Sequence, residues 1–195
     1  QGGTWLGINA MGVFAGITNR FMAPNDPNRQ SRGVLPLFAL EEPSARMAAN
    51  RLSAIQVSDY NAFHLVIADP TQAWVVWSDG SMLQREELPP GIHVVTESSY
   101  GAGPDARRAY LQEEAAKITQ APESVITGLT SLLGQSLDIS FNGPCVHLPE
   151  IGYGTRSSTF ISWGPNRSER HFHHSPVPPN QPKWEDHSHA LRDWA

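Results

Sequence analysis

An α+β fold built on antiparallel sheets is what this sequence predicts, on three observations. The chain opens on two short apolar runs with period-2 alternation, residues 4–8 and 13–18, joined by Asn9-Ala10-Met11-Gly12. That pattern reads as a β-hairpin, with Gly12 able to supply the positive φ of a tight reversal. Two β-rich runs follow at 62–68 and 73–77, linked by the turn Asp69-Pro70-Thr71-Gln72. Helical patterns then come in a block and strands return after them. That order belongs to α+β rather than to a doubly wound parallel sheet.

Each element has its own signal. The second hairpin strand ends in the polar pair Asn19-Arg20, where backbone and side chains can meet a ligand. A polar, Pro- and Asn-rich loop covers residues 22–30. Apolar periodicity marks 34–40 and 45–55; in the second, Ala48, Leu52 and Ile55 share a helical face, and Pro43 suits a helix start. Asp79-Gly80 marks a tight turn, and residues 91–96 read as a further strand. Pro104 and Asp105 open a helix to about Ile118, with Leu111, Ala115 and Ile118 on its buried side. Pro122 and Glu123 open another, carrying Ile126, Leu129 and Leu133. Residues 155–163 and 169–173 form a closing hairpin around Gly164-Pro165-Asn166. From Ser175 onward the chain is rich in Pro, His and Trp without period, so 1–174 is expected as one domain and 175–195 as an extended tail.

Bulk properties exclude several classes. A chain of 195 residues that is 39% hydrophobic is long enough to bury a core. Its net charge of −5 offers no clustered basic surface for nucleic acid or an anionic membrane. No apolar run approaches the roughly 18 residues of a membrane span. Cys145 is the only cysteine, which excludes a disulfide scaffold and fits a cytoplasmic setting. As a nucleophile it would need a base, and His147 would share its face on a strand. A free Cys more commonly packs as a small hydrophobe.

Several constellations invite chemistry. In Ile151-Gly-Tyr-Gly-Thr-Arg-Ser-Ser-Thr159, Arg156 offers a fork of donors beside Ser157, Ser158 and Thr159. Such a set can hold a carboxylate, a phosphate or a developing oxyanion, or can be a buried Arg tied to an acid among ordinary strand hydroxyls. Arg29-Gln-Ser-Arg32-Gly33 precedes a helical pattern and could cradle an anion at the helix start. His171, His173, His174, His187 and His189 raise a metal reading, but no carboxylate or cysteine stands at a recognisable ligand spacing, so no metal is expected. Trp5, Trp74 and Trp77 fit strand patterns and read as core. The pairs Glu41-Glu42 and Glu113-Glu114 read as solvated. None of these implies a cofactor.

A resemblance adds to this reading. Gly2-Gly3-Thr4-Trp5-Leu6-Gly7-Ile8-Asn9, followed by Gly12-Val13-Phe14-Ala15 and Thr18-Asn19, resembles the NRDE family, whose eukaryotic members are called transport and Golgi organisation protein 2. Ser31-Arg32-Gly33, Tyr60-Asn61-Ala62-Phe63, the strand ending at Asp69 and Tyr153-Gly154-Thr155-Arg156-Ser157-Ser158-Thr159 follow in that family's order. The resemblance implies an N-terminal-nucleophile hydrolase fold, a four-layer αββα sandwich, in which an N-terminal Cys, Ser or Thr attacks an amide with its own α-amino group as base. It casts Asn19 as oxyanion donor and Arg156 as polar anchor, with Thr18, Arg20, Glu97 and Ser157 as ligand-binding neighbours. The family's Met-Cys start and Asn-Arg-Asp-Glu motif do not occur in these residues. The expectation is therefore a chain whose first strands are missing. Glu97 stands where relatives carry a neutral amide.

Two functions are thus expected to compete. One is hydrolysis of small amide C–N bonds by the full-length protein. The other is non-catalytic binding of haem or another hydrophobic ligand in a trafficking role, with His64 or His93 as the axial-ligand candidates.

Overall fold

The structure is a computed structural model and describes residues 2–21, 25–120, 125–135, 143–164 and 166–192. Met22, Pro122, Glu123 and Pro165, which carry parts of the expected loop, helix start and hairpin turn, lie outside the described residues. The chain divides into two compact units, Gln1–Asp105 and Ala106–Ala195. The expected α+β class with antiparallel sheets is what both contain.

In the first unit β1 (Leu6–Ile8), β2 (Phe14–Asn19), β3 (Phe63–Ala68), β4 (Ala73–Ser78) and β5 (Leu83–Leu88) form one antiparallel sheet in sequence order. Gly12, at φ +84°, makes the opening reversal that its position predicts. Alternation sends Ala15, Ile17, Phe63, Leu65, Ile67 and Val76 to one face, where all are buried. Two short helices cover that face, α1 (Val34–Leu40) and α2 (Ala45–Leu52), contributing Leu35, Ala39, Ala45, Ala48, Ala49 and Leu52 to the same core. Each large apolar side chain buried here is worth about 1.5–3 kcal/mol. Ser44 caps α2 by accepting from the Met47 N–H at 3.3 Å.

One expected strand is absent from this unit. Residues 91–96 form no strand: Pro89 and Pro90 supply no N–H, and Gly91 turns the chain at φ +149°. The fifth strand instead precedes them. Its residues Gln84, Arg85, Glu86 and Glu87 are exposed, so this edge strand shows no apolar alternation and is held by backbone pairing to β4.

In the second unit α3 (Ala106–Ile118) packs on α4 (Val125–Leu133). β6 (His147–Leu148) pairs with β7 (Tyr153–Gly154), and β8 (Ser158–Ser162), β9 (His171–Ser175) and β10 (Glu185–Asp186) form a second antiparallel sheet in the order β10-β9-β8. Ala115 and Leu132 are buried, whereas Ile126 is exposed. Beyond Ser175 the described chain returns to the unit where an extended tail is expected. Glu185 and Asp186 pair with His174 and His173, and Leu191 of α5 (His189–Arg192) is buried. The return rests on hydroxyls rather than on apolar period, which is why no pattern announces it. Ser175 Oγ accepts from the Lys183 N–H and Ser188 Oγ accepts from the Phe172 N–H, both at 3.0 Å. Among the described residues no helix is long and apolar enough to cross a membrane.

Candidate functional site

Polar side chains gather at both ends of the first unit's sheet, and their partners separate the two. At the end formed by Ile8, Phe14, Ala68 and Ala73, Asn9 and Asp69 are fully engaged. Asn9 Nδ2 donates to the carbonyls of Leu40 and Glu42, each at 2.9 Å, and its Oδ1 accepts from the N–H groups of Met11 and Val13. Asp69 Oδ2 accepts from the Ala45 N–H at 2.8 Å, which ties the β3–β4 turn to the start of α2. Its Oδ1 accepts from the N–H and hydroxyl of Thr71 and the N–H of Gln72. Burial pushes the Asp69 carboxyl up, but these hydrogen bonds together outweigh it and hold the group below its ordinary range. A cleft of about 560 Å³ lies beside Asp69, lined also by Thr71, Gln72, Glu87 and His93, and its carboxylate is already committed to the turn.

The opposite end is built from the last residues of β2, the first of β3 and the last of β4. Asn19 sits at the end of β2, exposed, and its carboxamide has no hydrogen-bond partner among the described residues. The Arg20 N–H donates to the Ala62 carbonyl at 3.2 Å, and its Nη2 donates to the Tyr100 carbonyl at 2.7 Å. Arg20 Nε is buried with no partner. The Phe21 N–H donates to the Glu97 carbonyl at 2.7 Å. Residues 20–21 therefore hold the loop that contains Glu97 and Tyr100 against the end of β2.

His64 lies under that loop. It is opposite Thr18 on β2 and Trp77 on β4, and is fully buried. Its Nε2 is 3.0 Å from the Ser99 carbonyl, an acceptor only, so Nε2 carries the proton and donates. Nδ1 is then an acceptor, buried without a partner. Burial is the main force pulling the imidazole below its usual pKa. The Ser99 carbonyl opposes it, the Arg20 charge reinforces it, and the Asn19 carbonyl and Glu97 oppose it. The Tyr100 ring stacks on Trp77 with centroids 4.4 Å apart and 28° between planes, at a left-handed φ of +51° that non-glycine residues seldom adopt. Below the ring, Ser99 Oγ accepts from the Thr96 N–H at 2.9 Å, and Asp105 Oδ2 accepts from the hydroxyls of Thr96 and Ser99. Asp79, just past β4, is held down to about 2, first by the Met82 N–H, then by the N–H and hydroxyl of Ser81.

The structure thus brings Thr18, Asn19, Arg20 and Glu97 to one corner of the first unit. Arg156 and Ser157 belong to the second unit, exposed between β7 and β8. The hydroxyls beside them are engaged in the strands: Thr155 Oγ1 accepts from the Val146 N–H at 3.0 Å, Thr159 Oγ1 bonds His174 Nδ1 at 2.9 Å, and Ser158 is buried. Cys145 is buried. The His171 and His173 rings stack at 6.0 Å, yet no group of three or more His, Cys, Asp or Glu is placed to hold a metal among the described residues. Sequence reading missed Ser99, Tyr100 and Asp105, because 91–96 looked like a strand leading to a helix. The signal was present in Tyr100-Gly101-Ala102-Gly103, a glycine spacing that marks a loop.

Comparison with known proteins agrees with the motifs of the hairpin and of Arg156. A search of curated proteins finds no match. The family model described as Transport and Golgi organisation 2 matches residues 1–174. The chain therefore belongs to the Transport and Golgi organisation 2 family, the NRDE family that its opening hairpin resembles.

Proposed function

We propose that the corner around Asn19 is the substrate end of an N-terminal-nucleophile amidohydrolase acting on small amides, with the Asn19 carboxamide as oxyanion donor. One observation carries this reading: an exposed amide with no partner among the described residues stands at a strand end against which Arg20 and Phe21 hold the loop that contains Glu97 and Tyr100. A donor set in place before substrate arrives needs no reorganisation when negative charge develops on a carbonyl oxygen. Arg20, next in the chain, brings a guanidinium to the same strand end, and the neutral His64, on the opposite face of the sheet from Asn19, adds no charge there. In the whole protein the attacking group would be the N-terminal Cys that the resemblance implies, with its α-amino group as base. For Arg156, in the second unit, a role as polar anchor rests on the family motif alone. A cytoplasmic setting rests on the single cysteine.

The test is Asn19→Ala in the full-length protein, assayed on short-chain acyl p-nitroanilides. Loss of the donor should lower kcat by about a hundredfold or more. Unchanged kcat on a substrate that the parent protein hydrolyses would remove Asn19 from the mechanism.

A second reading, carriage of a hydrophobic ligand, draws on Trp5 and Phe21. Each is 59% exposed, and they flank the same strand end, since the Ile17 N–H bonds the Trp5 carbonyl and Phe21 lies two residues past β2. Haem does not fit His64, whose Nε2 is bonded to Ser99 within a fully buried ring. His93 is exposed, with its Nε2 2.7 Å from the Pro89 carbonyl. Tight binding of an apolar ligand by a protein that hydrolyses none of the amides would favour carriage.

A further inference from the structure

Three of the family-like segments meet in a cleft that Asn19 does not line. Gly3-Thr4, Ser31-Arg32-Gly33 and Asn61 line one cleft of about 340 Å³, together with Asp26 and Arg29. The Thr4 N–H donates to the Gly33 carbonyl at 2.9 Å, and the two backbones lie so close that a Cβ on Gly3 would come within 2.9 Å of the Gly33 carbonyl carbon. Glycine is required there by contact rather than by conformation. Asn61 fixes the other wall, accepting from the Asp26 N–H and donating to the Asp26 carbonyl, both at 2.8 Å. The Gln30 N–H donates to the Asp59 carbonyl at 2.8 Å. This much backbone bracing gives the loop a defined shape.

Two guanidinium groups are set into that frame. Arg32 Nη1 donates to the Ala62 carbonyl at 2.7 Å, and Arg29 Nη1 donates to the carbonyls of Tyr60 at 2.6 Å and Gly80 at 3.1 Å. Each is aimed by backbone acceptors that carry no net charge. Arg32 pairs with no carboxylate among the described residues, and burial pulls its pKa below the ordinary range without neutralising it. Arg29 has only Asp26 among the described residues, at 3.9 Å. Both arginines line the cleft, and each guanidinium has more donors than these backbone acceptors use. With Arg29 and Arg32 positive and Asp26 negative, the charged groups lining the cleft sum to one positive charge.

We infer that this cleft is a binding site for the carboxylate of a small organic acid, held by Arg32 with Arg29 beside it. α1 has only seven residues and contributes nothing as a helix terminus; the two guanidinium groups supply the recognition. Planar forks of N–H donors match a carboxylate in shape, and the single excess charge suits a monoanion better than a phosphate dianion. The site is independent of the hydrolase reading, because neither Asn19 nor Arg20 lines the cleft.

The experiment is a chemical-shift titration of the ¹⁵N-labelled protein with acetate, with the neutral isostere acetamide and with inorganic phosphate at matched ionic strength. Acetate should shift the Arg32 side-chain and Gly33 backbone signals saturably in the millimolar range, while acetamide leaves them in place. Arg32→Gln should weaken the acetate response at least about tenfold, the loss expected for a charge-assisted hydrogen bond. Arg32→Lys keeps the charge and the reach to Ala62, and should retain the fold with an intermediate loss. Equal responses to acetate and acetamide, or no saturable response at Arg32, would overturn the site. Saturation by phosphate with none by acetate would overturn the carboxylate assignment.

Discussion

At one end of the five-stranded sheet Asn9 uses both amide protons and both lone-pair positions on backbone groups, and Asp69 accepts from Ala45, Thr71 and Gln72. At the other end, among the described residues, the Asn19 amide bonds to nothing, His64 Nδ1 and Arg20 Nε are buried without partners, and Arg32 pairs with no carboxylate. The strands are the same and the residue types overlap. What differs is hydrogen-bonding capacity left over after folding. A saturated Asn is a structural brace, since every bond it makes is lost with the fold. An unsaturated one adds little to stability and keeps its donors for a ligand.

That contrast can be broken by substitution. Asn9→Ala should cost about 2–4 kcal/mol in urea unfolding, because four part-buried or local bonds to the backbone disappear together. Asp69→Ala should cost about 1–2 kcal/mol through loss of the bond to the start of α2, with the far end of the sheet unaffected. If either replacement were neutral, saturation would not mark a brace.

The pH dependence sharpens the same comparison. The folded His64 resists protonation, while the unfolded chain takes up that proton near pH ~6.5. Below that pH the unfolded state binds more protons. Stability is therefore complete above about pH 6.5 and falls as pH drops, by at most about 1.4 kcal/mol per unit for this group. Asp69 and Asp79, with lowered folded pKa values, lose their contributions only further down, as pH falls through the carboxylate range toward about 2 for Asp79. A urea midpoint that stays flat from pH 7.5 to 5.5 would contradict the assignment of His64 as a buried neutral ring. The smallest effect belongs to Asn19→Ala, which should change unfolding free energy by less than about 0.5 kcal/mol.

Legibility in the sequence follows the same physics. The hairpin and the 69–72 turn were readable because alternation and turn chemistry are local properties. β5 was not, since an exposed edge strand needs no apolar face and is defined by its neighbour's backbone. The returning C-terminal segment is held by Ser175 and Ser188, whose partners are distant backbone groups. Asn19 and Arg20 stood out as polar residues at a strand end, and Glu97 came with the family resemblance. Tyr100 and Ser99 could not be assigned, because their role depends on a register that sets His64 between Thr18 and Trp77. The Arg32 cleft was only half visible. Its arginines stand out in the sequence, but the contact between Gly3 and Gly33 that shapes it joins segments thirty residues apart.

The most direct test of the account measures two quantities on Asn19→Ala in the full-length protein: unfolding free energy and kcat on a p-nitroanilide that the parent hydrolyses. Stability should stay unchanged within about 0.5 kcal/mol while turnover falls by about a hundredfold. Normal turnover, or a loss of stability comparable to that of Asn9→Ala, would contradict it.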